Sequence, residues 1–263
     1  MKKFLRYYHK KNKAVLMQLA EYRVDILMTI MGTYSYTILT LVFFGVIFGN
    51  IDGIGEWGKF EILTLFGIGQ LIFYTHWSFF AGVDDWVSDI ILNGNLDIYL
   101  TKPVNSFMNL ITFKLSVVEK MPSYILALAI TIYGFVNTGI QLKPLPILLC
   151  IVLMGLGVIL KMLISLSISL LAFWVSKTRD MKRMYYHLFE YYKYPTDIYP
   201  KSVKLIFTTI LPIGLLAYGP AYFLLKGFSL NILGSYLGAL AFYITVVAIL
   251  WNRGLKAYSS ASS

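Results

Sequence analysis

The sequence predicts an all-α, polytopic membrane protein with six transmembrane helices, an N-terminal amphipathic interfacial helix and a short cytoplasmic helix between the second and third spans. Six stretches of about twenty residues or more carry scarcely a charge, and roughly 20 residues of helix cross the hydrocarbon core of a bilayer. Their apolar residues recur with a helical rather than an alternating period, and lipid admits only structures that satisfy their own backbone. Composition agrees: 58% of the 263 residues are hydrophobic, 16% are aromatic and the mean hydropathy is +0.68. That leaves too little polar surface to cover a water-soluble globule. The net charge of +10 would suit nucleic acid, but the basic residues gather at span ends, where membrane topology places them. Membrane lipids are therefore the expected surroundings, and no nucleic acid is expected as a partner.

Residues 1–25 open the chain as a cytoplasmic amphipathic segment. Lys2, Lys3, Arg6, Lys10, Lys11 and Lys13 alternate with Phe4, Leu5, Tyr8, Val15 and Leu19, a pattern that lies along a membrane surface. A signal peptide also begins basic, but the following run over 26–49 exceeds a typical apolar h-region and lacks a clear cleavage site. It reads as the first span. The others cover about 60–83, 121–142, 145–175, 205–225 and 228–251. The fourth is too long for one perpendicular crossing, so it tilts, extends into the cytoplasm or breaks near Lys161.

Lys and Arg set the orientation. Nearly all lie in the N-terminal segment, in 84–120, in 177–204 and in the tail, while the alternate loops keep Lys59, Lys143 and Lys226. Both termini and the two long connections are therefore expected in the cytoplasm. The second connection, 177–204, is basic and rich in tyrosine and reads as an interfacial belt against anionic lipid.

Chemistry in the chain is not expected. The sequence holds no G-x-x-x-x-G-K-[ST] phosphate loop, no H-E-x-x-H helix and no G-x-S-x-G turn, so no catalytic residue and no metal ligand is assigned. Cys150 is the one cysteine, which excludes a disulfide framework within the chain. His9, His76 and His187 lie in three separate regions, and His76 reads as a bundle-facing or interfacial residue. Lys161 is the ionisable residue well inside a span, and snorkelling or interhelical pairing is favoured for it over a transport role.

The segment over 84–106 is the most specific. Trp86, Val87, Ile90 and Ile91 fall at helical spacing on one face, with Asp85 and Asp89 four apart on another. Gly94 suits a C-terminal cap and Pro103 stops continuation. Periodicity alone fits a simple connector equally well. The wording, however, runs Gly94-x-Leu96-Asp97-x-Tyr99-Leu100-x-Lys102-Pro103-Val104-Asn105, which resembles the cytoplasmic loop signature of bacterial type-2 ABC transporter permeases, the ABC-2 family transporter proteins. Glu21-Tyr22-Arg23-Val24-Asp25 resembles that family's entry to its first helix, and Phe173-Trp174 the close of its fourth. Ile210-Leu211-Pro212 with Gly219-Pro220-Ala221 is similar to its proline-paired fifth span, and Trp251-Asn252-Arg253-Gly254-Leu255-Lys256-Ala257-Tyr258 to its closing motif. The order of elements is kept over nearly the whole length, and the closest likeness is to the compact six-span subfamily without a fused ATPase.

That resemblance implies one permease domain over 1–263, acting as the membrane subunit of an ATP-driven exporter in the bacterial plasma membrane. Two permease subunits, identical or homologous, would form the substrate pathway as a dimer, with separate nucleotide-binding ATPase subunits docked below. The chain would not itself be an enzyme and would hold no cofactor; ATP and Mg would sit in the partner. By the same likeness Trp86, Val87, Asp89, Ile90 and Ile91 form the ATPase-coupling interface, and Gly94, Asp97, Tyr99, Leu100, Lys102 and Pro103 the signature beside it. Pro212 and Pro220 form a candidate hinge, because proline frees a carbonyl and kinks a helix. Two rivals stand beside this reading: an ion-coupled secondary transporter, which would carry repeated halves or broken helices around midplane charges, and a non-transporting membrane assembly protein. Apolar and aromatic residues occur in every span, so no substrate-binding residue is assigned.

Overall fold

A computed structural model describes residues 23–101, 107, 117 and 119–258. The amphipathic helix expected over 1–25 falls almost wholly outside the described residues, as do Lys102 and Pro103.

Helix α1 (Arg23–Phe48) is followed by a short antiparallel hairpin, β1 (Gly53–Ile54) and β2 (Trp57–Gly58), with Ile54 facing Trp57. Gly55 at its tip has φ 64°, a conformation open to glycine because it lacks Cβ. Helix α2 (Lys59–Asp85) begins with the Glu61 carboxylate accepting the Gly58 N–H at 2.9 Å, which satisfies one of the orphan donors at a helix start. Two short helices follow, α3 (Val87–Leu92) and α4 (Asp97–Leu100), then α5 (Met121–Asn137). Helix α6 (Pro144–Leu170) opens on proline, whose missing N–H costs nothing at that position, and continues as a 3-10 turn over Leu171–Phe173. It runs unbroken through Lys161. Helix α7 (Thr178–Phe189) passes into 3-10 turns at Glu190–Lys193 and Thr196–Ile198. Helices α8 (Lys201–Thr208), α9 (Ile213–Leu225) and α10 (Leu230–Ala257) complete the described chain.

Helix α2 is the centre of the bundle and packs on α5, α6 and α9, while α10 packs on α6. The α2–α5 contact is made close by small residues: a Cβ at Gly67 would lie 2.7 Å from the Thr131 backbone nitrogen, and one at Gly134 2.7 Å from that of Thr64. Membrane helices associate through such small-residue seams because lipid supplies no hydrophobic drive between them. Helix α1 sits at the edge, anchored by Phe44, whose ring meets Phe66 at 5.6 Å and Tyr194 at 6.1 Å.

The all-α expectation holds, with the hairpin the one sheet among the described residues. Three described helical stretches are individually long and apolar enough to cross a membrane: Leu27–Phe48, Pro144–Phe173 and Leu230–Ala257. Helices α8 and α9 would supply a fourth if taken as one broken span. The six spans predicted from sequence are therefore matched in part.

The kink expected from the proline pair of the fifth span is a bend of 89° between two helices, at a break of four residues. One expectation is corrected. The 177–204 connection, expected to lie against lipid, instead runs along the bundle antiparallel to α2. Going down α2, Trp57 just before it meets Asp197, Phe66 meets Tyr192, Phe73 meets Phe189, and Asp84 meets Lys182. The physical reason is its buried stripe, Thr178, Lys182, Tyr185 and Phe189, spaced 4, 3 and 4 as one helix face requires. That stripe is aromatic and basic rather than aliphatic, so hydropathy passes over it.

Candidate functional site

Helix α3 is fixed at the end of the bundle by three local devices. Trp86 closes α2, its N–H donating to Gly82 O at 3.0 Å, and begins α3 in the same residue. Gly94, at φ 69°, ends α3: the Gly94 N–H donates to Ile91 O at 3.2 Å and the Asn95 N–H to Ile90 O at 3.0 Å. These are the two bonds of a Schellman cap, which needs a left-handed residue at that position. The Leu96 N–H then donates to the Tyr258 hydroxyl at 3.1 Å, and the Tyr258 ring meets Phe173 at 6.2 Å, edge on. Phe173 also meets Trp251. The separate sequence motifs around Gly94, Phe173 and Trp251 are thus one contiguous structure at the α3 end of the bundle.

Burial divides the expected interface set. Val87, Ile90 and Ile91 are buried within the chain's own core, α3 packing on α6 and on the Leu171–Phe173 turn. They seat the helix from beneath. The apolar groups presented outward are Trp86, 46% exposed, with Leu92, Ile98, Leu100, Trp174 and Val175. Asp89 accepts a two-pronged hydrogen bond from one Arg179 nitrogen, 3.0 Å to each carboxylate oxygen. Tyr99 is buried, and Asp97 heads α4 with its backbone carbonyl capped by Thr101.

The joint between α3 and α7 escaped the sequence reading. Lys182 is buried, and its ammonium donates to Asp84 O at 2.7 Å and to the Ser88 hydroxyl at 2.7 Å. One side chain thereby caps the end of α2 and holds the start of α3. Val83 O, beside them, accepts the Ser169 hydroxyl of α6 at 2.8 Å. A lysine in a helical stripe beside Tyr185 and Phe189 was the available signal.

Above this joint lies a buried polar cluster. His76 Nε2 and Asp84 Oδ2 are 2.6 Å apart, both enclosed. Lys161 is fully buried, without a hydrogen-bond partner for its ammonium, and is ringed by Phe189 at 5.0 Å, Phe73 at 5.5 Å, Tyr186 at 5.6 Å and Tyr185 at 5.9 Å. Snorkelling is thereby corrected: the stem stays inside because four ring faces, each attractive to a cation, and the charge of Asp84 surround it. His76 is bundle-facing and paired. Among the described residues no three His, Cys, Asp or Glu side chains gather as a metal site.

The two prolines have different settings. Pro212 is the N-cap of α9 at the 89° break, where Tyr243 of α10 donates to Ile210 O at 2.6 Å. Pro220 lies inside a continuous α9. It leaves Leu216 O without a helical donor, and the Tyr236 hydroxyl of α10 reaches that oxygen at 3.2 Å. Both ends of the bent pair lie at the hairpin: Asp197 binds Lys204 and Trp57, and Lys226 binds Glu61 and Glu56 O beneath Trp57.

A family model described as ABC-2 family transporter protein matches residues 34–262. No curated protein matches the chain.

Proposed function

The chain belongs to the ABC-2 transporter family, and from that premise we propose that it is the permease subunit of an ATP-driven exporter of the bacterial plasma membrane. It pairs with a second permease subunit, and separate ATPase subunits bind ATP and Mg and dock at the α3 end. Six crossings are supplied by α1, α2, α5, α6, α7 with the 3-10 turn at Glu190–Lys193, and α10; the Thr196–Ile198 turn lies beyond the crossing, at the hairpin. The pair α8–α9 enters from the hairpin side and returns to it, as its tethering to Trp57 at both ends supports. Basic residues around the α3 end support a cytoplasmic placement for it and for both termini.

The observation that carries this reading is the α3 joint. An outward apolar surface at Trp86, Leu92 and Ile98 lies directly over a helix bound by Lys182 to α7. A push on α3 is transmitted to α7 and, through it, to the 3-10 turns that continue beside α2 to the hairpin. Exposed aromatics anchor protein interfaces, and truncating such an anchor costs about 2 kcal/mol or more, or roughly thirtyfold in affinity. Trp86→Ala with Leu92→Ala should therefore abolish ATPase association and ATP-driven efflux from reconstituted vesicles while the permease stays folded. Unchanged association and efflux would reduce α3 to a connector. Ile90 is unsuitable for this test because its side chain is core.

A further inference from the structure

Besides the α3 joint, the bundle holds a cavity of about 320 Å³ between α1, α2 and the 3-10 turn after α7, bounded by Gly32, Tyr36, Gln70, Phe73, Glu190 and Tyr192 among others. Its volume is at the lower end of the range for small-molecule sites, about 300–1,000 Å³. A second cavity, between α1, α2 and α5, is lined almost wholly by apolar groups and reads as lipid-facing space.

The first cavity is built differently. Gln70 lines it, is buried, and has an amide nitrogen with no hydrogen-bond partner. A buried donor left unmet is destabilising, and a ligand acceptor placed in the cavity would remove that cost. The charge in the wall is already matched. Glu190 accepts hydrogen bonds from the Tyr36 hydroxyl and from Lys193 at 2.8 Å, and Lys193 also donates to Tyr36 at 3.0 Å. One carboxylate and one ammonium cancel, so the site offers no net charge to an ion. Phe73, Tyr74 and Tyr192 supply ring surface. Gly69 beneath them leaves room for the Tyr192 ring, since a Cβ there would overlap it.

We propose that this cavity binds an uncharged, planar aromatic molecule bearing a carbonyl-type acceptor, the acceptor on Gln70 Nε2 and the aromatic body against Phe73, Tyr74 and Tyr192. An anion or a cation would need a free counter-charge that the Glu190–Lys193 pair does not offer. The inference deepens the export reading by naming a ligand class. It also connects to the joint, because Glu190 and Tyr192 follow directly on the helix that Lys182 fastens to α3, so movement of α7 would move one wall of the site.

The test uses the full chain alone in phosphatidylcholine vesicles, photolabelled with benzophenone, an uncharged diaryl ketone, with labelled peptides located by mass spectrometry. Saturable labelling is expected on peptides carrying Gly32, Gln70 to Tyr74, and Glu190 to Tyr192. Benzophenone-4-carboxylate and a trimethylammonium-bearing benzophenone should compete at least about tenfold less well, since nothing in the wall replaces the hydration of a charge. Gln70→Leu removes one neutral hydrogen bond and should weaken labelling roughly threefold to tenfold. Gly32→Leu should reduce it further, because no atom lies within 4 Å of a Cβ at that position and the new side chain has open space to fill. Unsaturable labelling spread over the lipid-facing helices, labelling indifferent to both variants, or charged analogues that compete equally would each overturn the proposal. If Gly32→Leu fails to fold, Gln70→Leu decides alone. Because the readout needs no ATPase, its failure leaves the export reading to its own efflux assay, and a failed efflux assay leaves this result standing.

Discussion

Lys182→Met keeps an unbranched stem in the buried stripe of α7 and removes the ammonium that fastens α7 to the end of α2 and the start of α3. The two bonds at 2.7 Å, to Asp84 O and to the Ser88 hydroxyl, come from a charged donor and are worth about 1.5–3 kcal/mol each. The third approach, 3.5 Å to Val83 O, is too long to add much, and that oxygen keeps its bond from Ser169. Together they come to about 3–6 kcal/mol; methionine is cheaper to bury than an ammonium, which offsets part of that loss, so the net loosening of the joint is about 2–3 kcal/mol. At 1.4 kcal/mol per factor of ten, local opening of α3 should become roughly thirty to a hundred times more frequent. Hydrogen exchange reads this directly on the amides of Ile90, Asn93 and Asn95, which are bonded to Trp86 O, Asp89 O and Ile90 O. With the ATPase present, the same variant should hydrolyse ATP with little efflux. Arg179→Gln is the control: its guanidinium is 74% exposed, and exposed pairs contribute about 0–1 kcal/mol, so exchange should rise less than about fivefold. Unchanged exchange in Lys182→Met, or a larger effect from Arg179→Gln, would refute the assignment of the joint to Lys182.

Tyr236→Phe should lower thermal stability in detergent by the equivalent of about 1–2 kcal/mol, since Leu216 O then loses its donor. The loss should shrink in a Pro220→Ala background, where the new backbone N–H supplies that oxygen; equal losses in both backgrounds would show that the hydroxyl does not compensate for the proline. Asp197 is held below the ordinary carboxylate range: burial alone would raise it, but hydrogen bonds from Lys204 and Tyr218, with the lysine charge, outweigh burial. A lowered folded value means its stabilising contribution is full above pH 3.8 and is lost as pH falls through the depressed value. Asp197→Asn should therefore lower the melting temperature at neutral pH, and the gap from wild type should narrow at acid pH; a gap independent of pH would exclude the ionised carboxylate as its source.

What the sequence determined by itself is what depends on neighbours along the chain. The long uncharged runs of α1, α6 and α10, the amphipathic period over 86–91 and the glycine cap at Gly94 are all set by contacts within a few residues, so they were legible, and the bend near Pro212 was legible for the same reason. Tertiary structure decided the rest. The same apolar face that reads as a docking surface is divided by α6 into a seat, Val87, Ile90 and Ile91, and an outward set led by Trp86. Lys161 is in an aromatic cage and not at an interface because α7 brings Tyr185, Tyr186 and Phe189 over it. The course of the 178–198 segment beside α2 rests on partners such as Lys182 with Ser88, 94 residues apart, and Trp57 with Asp197, 140 apart. A hydropathy window weighs side chains one by one against lipid, whereas a lysine or tyrosine inside this bundle is stabilised by carbonyls, hydroxyls and ring faces that arrive from distant helices, and only packing determines which of them arrive.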